Sequence, residues 1–124
     1  MTEGEIVIVS VNARGTNEIR KLVGIENLIK KYKPDFLFIQ ETNINSIYRA
    51  RQQINRLGLK NGIYNLGNHF NGTAILQTSN RWKIVDQTTD NTGRKVELKI
   101  NNGSHSYTLI NIYTPQDRKR ERFL

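Results

Sequence analysis

The sequence has 124 residues, and its 19 lysines and arginines outnumber its 11 aspartates and glutamates, giving a net charge of +8. This surplus favours polyanionic partners, either nucleic acid or an acidic membrane surface. The absence of cysteine excludes disulfide frameworks, thiolate zinc sites and cysteine nucleophiles. The first apolar run, about six residues long, is too short for a signal peptide or a membrane span, so no membrane partner is expected.

The first third of the chain has the pattern of a βαβ unit. Residues 6–11 form a continuous β-branched run, which is typical of a strand buried on both faces. A helix with an apolar stripe is predicted over about 17–31, with lysines in its last turn and Pro34 as its stop. The apolar run 36–39 predicts a second strand, parallel to the first.

A second helix is predicted over about 47–57, because Ser46 suits an N-cap and Gly58 suits a C-cap. Short segments separated by Gly- and Asn-rich turns follow, at about 63–66, 73–78, 82–87, 95–100 and 107–113. The last two segments alternate, and residues 101–104 between them predict a hairpin turn. The predicted fold is α/β, beginning with βαβ and continuing as an antiparallel meander.

The last ten residues have the pattern of a helix start. Thr114, Pro115 and Asp117 supply a capping hydroxyl, a proline for the first turn and an early acid. Phe123 and Leu124 then begin an apolar stripe that does not continue. The interpretation is that residues 1–124 are one partial domain, truncated soon after the last predicted strand.

Polar residues follow the two predicted parallel strands at the sheet end where ligands usually bind. Asn12 follows the first strand, and Glu41 follows the second, within Gln-Glu-Thr. If the strands are neighbours, the amide and the carboxylate converge, and they suit Mg²⁺, which takes one or two carboxylates plus waters and phosphate. The alternative is structural: Glu41 flanks the next element and Asn12 satisfies turn backbone.

A third candidate group lies at the end of the last predicted strand. Asn111 and Tyr113 share a face and are expected to project beyond the sheet, where a phenol hydrogen-bonds a phosphate. The alternative for Tyr113 is packing at a strand end.

Four segments in this order resemble successive signatures of the endonuclease/exonuclease/phosphatase superfamily: residues 10–15, 33–42, 72–76 and 109–115. The Gln-Glu-Thr and Asn-Ile-Tyr-x-Pro wording is most similar to the apurinic-type endonuclease domain of non-LTR (LINE-type) retrotransposons. The resemblance implies the N-terminal half of a two-sheet, four-layer α/β sandwich, a mixed sheet with helices on one side. We expect the second sheet to be missing and the isolated chain to be marginal or aggregation-prone.

The resemblance also implies roles for single residues. Glu41 matches the metal-binding glutamate, Asn12 the asparagine that supports metal and scissile phosphate, and Tyr113 the tyrosine that contacts the phosphate. These three are the expected catalytic residues, with Mg²⁺ or Mn²⁺ held by Glu41 and Asn12. Asn111 matches a structural asparagine, and Gly93-Arg94 resembles a short glycine-arginine signature.

Nucleic-acid contacts are expected from five residues near these motifs: Arg14, Asn43, Gln116, Arg118 and Arg120. Arg14 and Gln116 depart from the family, which often has asparagine at both places. The arginines of the second helix are equally well explained as a solvated face, whereas the basic cluster after Tyr113 is the better DNA contact.

The implied function is Mg²⁺-dependent cleavage of DNA by the complete endonuclease domain of a LINE-type retrotransposon, inside the cell and plausibly in the nucleus. The family's downstream Asp-x-Asn and Ser-Asp-His segments are absent from this sequence, and His69 and His105 read as ordinary loop residues. This chain alone is therefore expected to be inactive and to need the missing C-terminal half. Two alternatives stay open: a non-catalytic transposon remnant that binds nucleic acid by charge, and a phosphatase or phosphodiesterase acting on a small substrate.

Overall fold

A computed structural model describes residues 2–66 and 71–114. Within these ranges the chain forms two helices and seven strands. In chain order they are β1 (Ile8–Asn12), α1 (Ile19–Tyr32), β2 (Phe36–Gln40), α2 (Ile47–Leu57), β3 (Asn61–Asn65), β4 (Thr73–Gln77), β5 (Lys83–Thr89), β6 (Lys95–Asn101) and β7 (Ser106–Ile112). The helix predicted from Pro115, with Gln116, Arg118 and Arg120, lies outside the described residues, as does His69.

The first sheet is mixed and has the strand order β1-β2-β4-β3. β1 and β2 are parallel with α1 between them, so the predicted βαβ unit is confirmed. β4 is antiparallel to both β2 and β3. One face of this sheet packs against the helices: Leu37, Ile39 and Leu76 are buried together with Ile25 of α1.

Both helices end where the sequence predicts. The Ser46 side chain accepts a hydrogen bond from the Arg49 backbone N–H at 3.3 Å, which caps α2, and Gly58 ends α2 in the left-handed conformation. α1 ends at Lys33, which is also left-handed, directly before Pro34. No helix in the described part of the chain is long and apolar enough to cross a membrane.

The second sheet is an antiparallel meander with the order β5-β6-β7. The predicted hairpin is present, with Asn101 opposite Ser106 at its turn. The alternation in β6 has the expected effect, because Val96, Leu98 and Ile100 are all buried on one face.

The prediction that the second sheet is missing is wrong. Phe36 and Ile75 of the first sheet share one hydrophobic cluster with Leu98 and Leu109 of the second sheet and with Trp82, which directly precedes β5. Side chains of a strand alternate between faces, so β2 buries Leu37 under the helices and Phe36 under the second sheet. The described chain thus has three layers: helices, mixed sheet and antiparallel sheet.

The second sheet also exposes apolar side chains. Ile110 and Ile112 on β7 are 47% and 60% exposed, and Val85 on β5 is 57% exposed. β7 is an edge strand within the described part of the sheet.

A buried ion pair holds the other end of the first sheet. Asp35, directly before β2, accepts hydrogen bonds from the Val7 backbone N–H at 2.9 Å and the Ser79 hydroxyl at 2.7 Å. Arg81 Nη1 lies 2.9 Å from the same carboxylate, and Arg81 Nη2 donates to the Glu5 carbonyl at 2.9 Å. Because these charges are paired and hydrogen-bonded, the buried carboxylate is tolerated.

Candidate functional site

The loops that follow β1 and β2 run side by side. Their backbones are joined by three hydrogen bonds: Ala13 N–H to Gln40 O at 2.9 Å, Gly15 N–H to Glu41 O at 2.7 Å, and Thr16 N–H to Thr42 O at 3.0 Å. The parallel register places Asn12 opposite Gln40. Asn12 and Glu41 therefore lie on neighbouring strand ends, as the sequence predicts.

Backbone hydrogen bonds then link these loops to segments from β4, β6 and β7. The bonds are Thr42 N–H to Gly72 O at 3.0 Å, Asn43 N–H to Asn71 O at 2.9 Å, Gly72 N–H to Gly93 O at 3.0 Å, and Tyr113 N–H to Arg94 O at 2.8 Å. We call the resulting row the candidate edge and define it as Asn12, Glu41, Asn43, Asn71, Arg94 and Tyr113. The structure thus brings the three predicted catalytic residues to one end of the two sheets.

Asn12 and Glu41 differ in their surroundings. Asn12 is exposed, and its Oδ1 accepts a hydrogen bond from the Arg14 backbone N–H at 3.2 Å, so it also satisfies turn backbone. Glu41 is half-buried, and its carboxylate forms no hydrogen bond or ion pair with any residue of the ranges 2–66 and 71–114. A carboxylate without a protein partner is available to an incoming cation.

Three residues of these loops have strained backbones. Arg14, Glu41 and Asn43 have φ values of 50°, 56° and 56°, in the left-handed region that non-glycine residues rarely adopt. Such a conformation costs about 1–2 kcal/mol for Arg14 and Glu41 and less for Asn43, because asparagine adopts it more readily. Strain of this kind clusters at functional sites. The fourth non-glycine residue with a positive φ in the described chain, Lys33, ends α1. The strain in loops is therefore concentrated in the two loops that follow β1 and β2, which makes them candidates for a functional role.

Polar atoms without partners mark the candidate edge as well. Asn43 Oδ1, Asn71 Oδ1 and Arg94 Nε are buried and have no hydrogen-bond partner within the described residues. A buried polar atom left unpaired costs about 1–3 kcal/mol, so each is a candidate contact for a bound ligand. Asn71 was not identified from the sequence, where Asn-Gly-Thr reads as an ordinary turn.

Asn111 lies between the two sheets instead of projecting beyond them. Its side chain is buried, and Oδ1 accepts a hydrogen bond from Gln40 Nε2 at 2.7 Å. Its Nδ2 donates to the carbonyls of Ile39 at 3.2 Å and Ala74 at 2.9 Å. Asn111 thereby ties β7 to the ends of β2 and β4, directly behind Glu41. Tyr113 is also buried, against the expectation that it projects freely.

Gly93 and Arg94 belong to a tight turn that the sequence explains only in part. Gly93 has a φ of 79°, and a Cβ at this position would lie 3.1 Å from Leu66 O and 3.2 Å from Asn71 Oδ1. No other residue type fits both requirements without a shift. The Gly93 carbonyl also accepts from the Thr73 hydroxyl at 2.9 Å, which fixes the turn against β4.

Asp90 anchors the same turn and was not predicted. Desolvation raises its pKa, but hydrogen bonds from the Thr92 hydroxyl, the Asn65 amide and the backbone N–H groups of Thr92 and Arg94 outweigh this and hold the pKa at about 2. Asn65 Nδ2 lies 2.5 Å from Asp90 Oδ1 and 2.8 Å from the Lys95 carbonyl. A hydrogen-bonded Asp-x-Thr turn was the available signal in the sequence.

Two of the five predicted nucleic-acid contacts lie in the described ranges. Arg14 is exposed beside Asn12, and Asn43 belongs to the candidate edge. Gln116, Arg118 and Arg120 are among the residues that are not described. His105 lies in the β6–β7 turn, at the opposite end of the second sheet from Tyr113, consistent with its interpretation as a loop residue.

The donor set is compatible with a single hard cation. The described residues contain no group of three or more His, Cys, Asp or Glu side chains that would enclose a metal. Mg²⁺ does not need such a group, because it keeps several waters and takes one or two carboxylates. The unpaired carboxylate of Glu41, with Asn12 on the neighbouring strand end, fits this requirement.

Comparison with known proteins gives structural matches only. The sequence matches no protein-family model and no curated protein. An AP endonuclease from Archaeoglobus fulgidus superposes with a TM-score of 0.69 and 23% identity, over 96% of this chain and 46% of its own. D. rerio TDP2 complexed with single-strand DNA product superposes with a TM-score of 0.68 and 17% identity, over 94% of this chain and 50% of its own.

A 3′ phosphatase, NExo from Neisseria, bound to a product DNA hairpin, gives a TM-score of 0.66 and 18% identity over 95% of this chain and 48% of its own. The chain spans about half the length of these solved structures. TDP2, the AP endonucleases and the 3′ phosphatase all belong to the endonuclease/exonuclease/phosphatase superfamily. The chain has the α/β fold of that superfamily.

Proposed function

We propose that this chain provides the metal- and phosphate-binding strands of a divalent-metal-dependent DNA phosphodiesterase. The observation that carries the proposal is the Glu41 carboxylate, which is half-buried, strained in φ and unpaired within the described residues, at an edge with three unpartnered polar atoms. The shared fold with nucleases and phosphatases supports the same chemistry.

Each residue has a distinct task in this proposal. Glu41 and Asn12 hold the cation, Mg²⁺ or Mn²⁺, which supplies positive charge to balance the phosphate. Tyr113 donates its phenol hydrogen to a phosphate oxygen, and Arg94 adds charge beside it. Asn111 positions the edge through Gln40 and does not touch the substrate.

DNA is the proposed substrate for two reasons. The net charge of +8 favours a polyanion, and Arg14 lies exposed next to Asn12, where a neighbouring phosphate of the same strand would pass. Two structures with this fold were solved with DNA product. The finer assignment, a LINE-type retrotransposon endonuclease acting in the nucleus, rests on the Gln-Glu-Thr and Asn-Ile-Tyr-x-Pro wording.

Metal binding is the direct test. Water-proton relaxation with Mn²⁺ is expected to show one site, and Glu41→Gln is expected to weaken binding about tenfold or more, because a charged ligand is lost. Glu97→Gln, on the outer face of β6, removes the same charge elsewhere and should leave binding unchanged. Equal Mn²⁺ affinity in wild type and Glu41→Gln contradicts the proposal.

Activity is tested by plasmid nicking in Mg²⁺ with Glu41→Ala as the matched variant. The chain of 124 residues is expected to bind DNA but not to nick it, because it has one metal carboxylate and no candidate base at the candidate edge within the described residues. Metal-dependent nicking that Glu41→Ala abolishes would show that the chain is sufficient. DNA binding without Mn²⁺ binding would instead favour the non-catalytic alternative.

A further inference from the structure

A cavity lies at the end of the sheets opposite the candidate edge. It has a volume of about 590 Å³ and is walled by the start of β3, the end of β4, the start of β5 and the β6–β7 turn. β4 spans the distance between the two places, since Thr73 pairs with Gln40 next to the candidate edge and Gln77 lines the cavity. Four residue steps of a strand measure about 14 Å, so the two sites are separate.

The charge of the cavity is positive. Lys60, Arg81 and Lys83 line it, and its lining includes no aspartate or glutamate. Arg81 is paired with Asp35 and contributes little net charge. Lys60 and Lys83 are exposed and form no ion pair within the described chain, so both ammonium groups are available to an anion.

The amide side chains of the cavity are largely engaged, as acceptors and as donors. Several side-chain acceptors are already occupied: Gln77 Oε1 accepts from Asn61 Nδ2 at 2.8 Å, and Asn101 Oδ1 accepts from the Gly103 N–H at 2.6 Å. Asn102 Oδ1 likewise accepts from the backbone N–H groups of its own turn. The ammonium groups of Lys60 and Lys83 are therefore the charged groups of the lining that have no partner within the described residues, which favours an anion over a cation.

Trp82 lines the cavity and provides a fluorescent reporter for it. Its ring is buried beside Tyr107, with the ring centroids 5.4 Å apart, and Nε1 has no hydrogen-bond partner within the described residues. Gln77 Nε2 donates to the Trp82 carbonyl at 2.7 Å and fixes this segment in the wall. Trp82 is the only tryptophan of the chain, so its fluorescence reports on this wall alone.

We propose that this cavity is a second anion site, which binds a phosphate group through Lys60 and Lys83. Phosphate oxygens accept several hydrogen bonds at once, and lysine binds them as a point charge. The site is independent of the metal chemistry proposed for the candidate edge.

Titration of Trp82 fluorescence with inorganic phosphate, at constant ionic strength in chloride, tests the site. The expected result is a saturable change in intensity or wavelength. Lys60→Ala with Lys83→Ala is expected to raise the half-saturating concentration about tenfold or more. Lys30→Ala with Lys99→Ala removes the same charge from exposed positions elsewhere and should leave the titration unchanged.

A second arm identifies the source of the phosphate. A short single-stranded oligonucleotide is titrated into the wild type, the Lys60/Lys83 variant and Glu41→Gln. A Trp82 response to the oligonucleotide that the lysine variant loses and Glu41→Gln keeps assigns the site to backbone phosphate; a response to inorganic phosphate alone assigns it to a free anion. No saturable response to either probe, or equal responses in wild type and lysine variant, overturns the proposal.

Discussion

Glu41 combines two properties that a purely structural residue would not keep together. Its φ of 56° is unfavourable for a side chain with a Cβ, and its carboxylate has no partner within the described residues. Neither property stabilises the fold. The strained backbone at Glu41 is held by hydrogen bonds from the backbone N–H groups of Ala13, Gly15 and Thr16 to the carbonyls of residues 40–42.

Glu41→Gly is therefore expected to raise the free energy of unfolding by about 1 kcal/mol relative to Glu41→Ala, because glycine adopts positive φ without strain. Both variants are expected to lose Mn²⁺ binding. Urea unfolding of the two variants and of wild type measures the difference. Equal stability of the glycine and alanine variants would mean that residue 41 is not strained in solution.

Asp90 shows how hydrogen bonds without ion pairs change a titration. Since its folded pKa of about 2 lies below the usual value near 3.9, it stabilises the fold above about pH 4, and that contribution is lost as pH falls towards 2. The difference in unfolding free energy between wild type and Asp90→Asn should shrink over that interval. Thr92→Val is expected to raise the Asp90 pKa, measured by NMR titration; a wild-type pKa near 4 contradicts the account.

At the scale of elements, the helices, strands and hairpin predicted from local patterns are present, but the burial predicted for the first strand is wrong: β1 lies at the edge of the described sheet, and Ile8 is exposed. The β-branched run, the Ser46 cap and the alternation in β6 each act within a few residues, so the βαβ unit, α2 and the hairpin follow from the sequence. The pairing of β4 between β2 and β3 joins residues far apart in the chain, and no local signal predicts it. For the same reason the sequence places Asn12 and Glu41 but not Asn71 or Asp90.

Two glycines in different elements give opposite expectations for the same substitution. Gly93→Ala is expected to cost more than about 1 kcal/mol, because φ is positive and the new Cβ would press on Leu66 O at 3.1 Å. Gly24 lies in α1 with nothing within 4 Å of its Cβ position, so Gly24→Ala should stabilise by about 0.5–1 kcal/mol. Thermal melts of the two variants give the comparison; equal effects would exclude backbone conformation as the cause.

At the scale of the whole molecule, the two sheets share one core. Phe36 and Ile75 contact the same cluster as Leu98 and Leu109, so the sheets are expected to unfold together. The prediction of marginal stability was based on a missing second sheet, and the presence of that sheet removes its basis. Aggregation is still expected, but from a different surface: β7 exposes apolar side chains and is an unpaired edge strand of the described sheet.

Ile110→Thr with Ile112→Thr is expected to reduce self-association and to shift the melting temperature little, because both side chains are largely exposed and threonine keeps β-propensity. Val96→Thr makes the same kind of change at a fully buried position and should cost about 1–3 kcal/mol. Light scattering and thermal melts measure the two effects. Unchanged light scattering in the double variant would mean that self-association uses a different surface.

The Asn111 bridge has a consequence for the order of events on the ribosome. Gln40 is synthesised 71 residues before Asn111, which accepts its hydrogen bond, and Ile39 is synthesised 72 residues before Asn111, which donates to its carbonyl. At about 5–20 residues per second, several seconds of synthesis pass in between. The proposed metal ligands Asn12 and Glu41 are thus synthesised early, but they acquire their final geometry only when β7, the last described strand, has emerged.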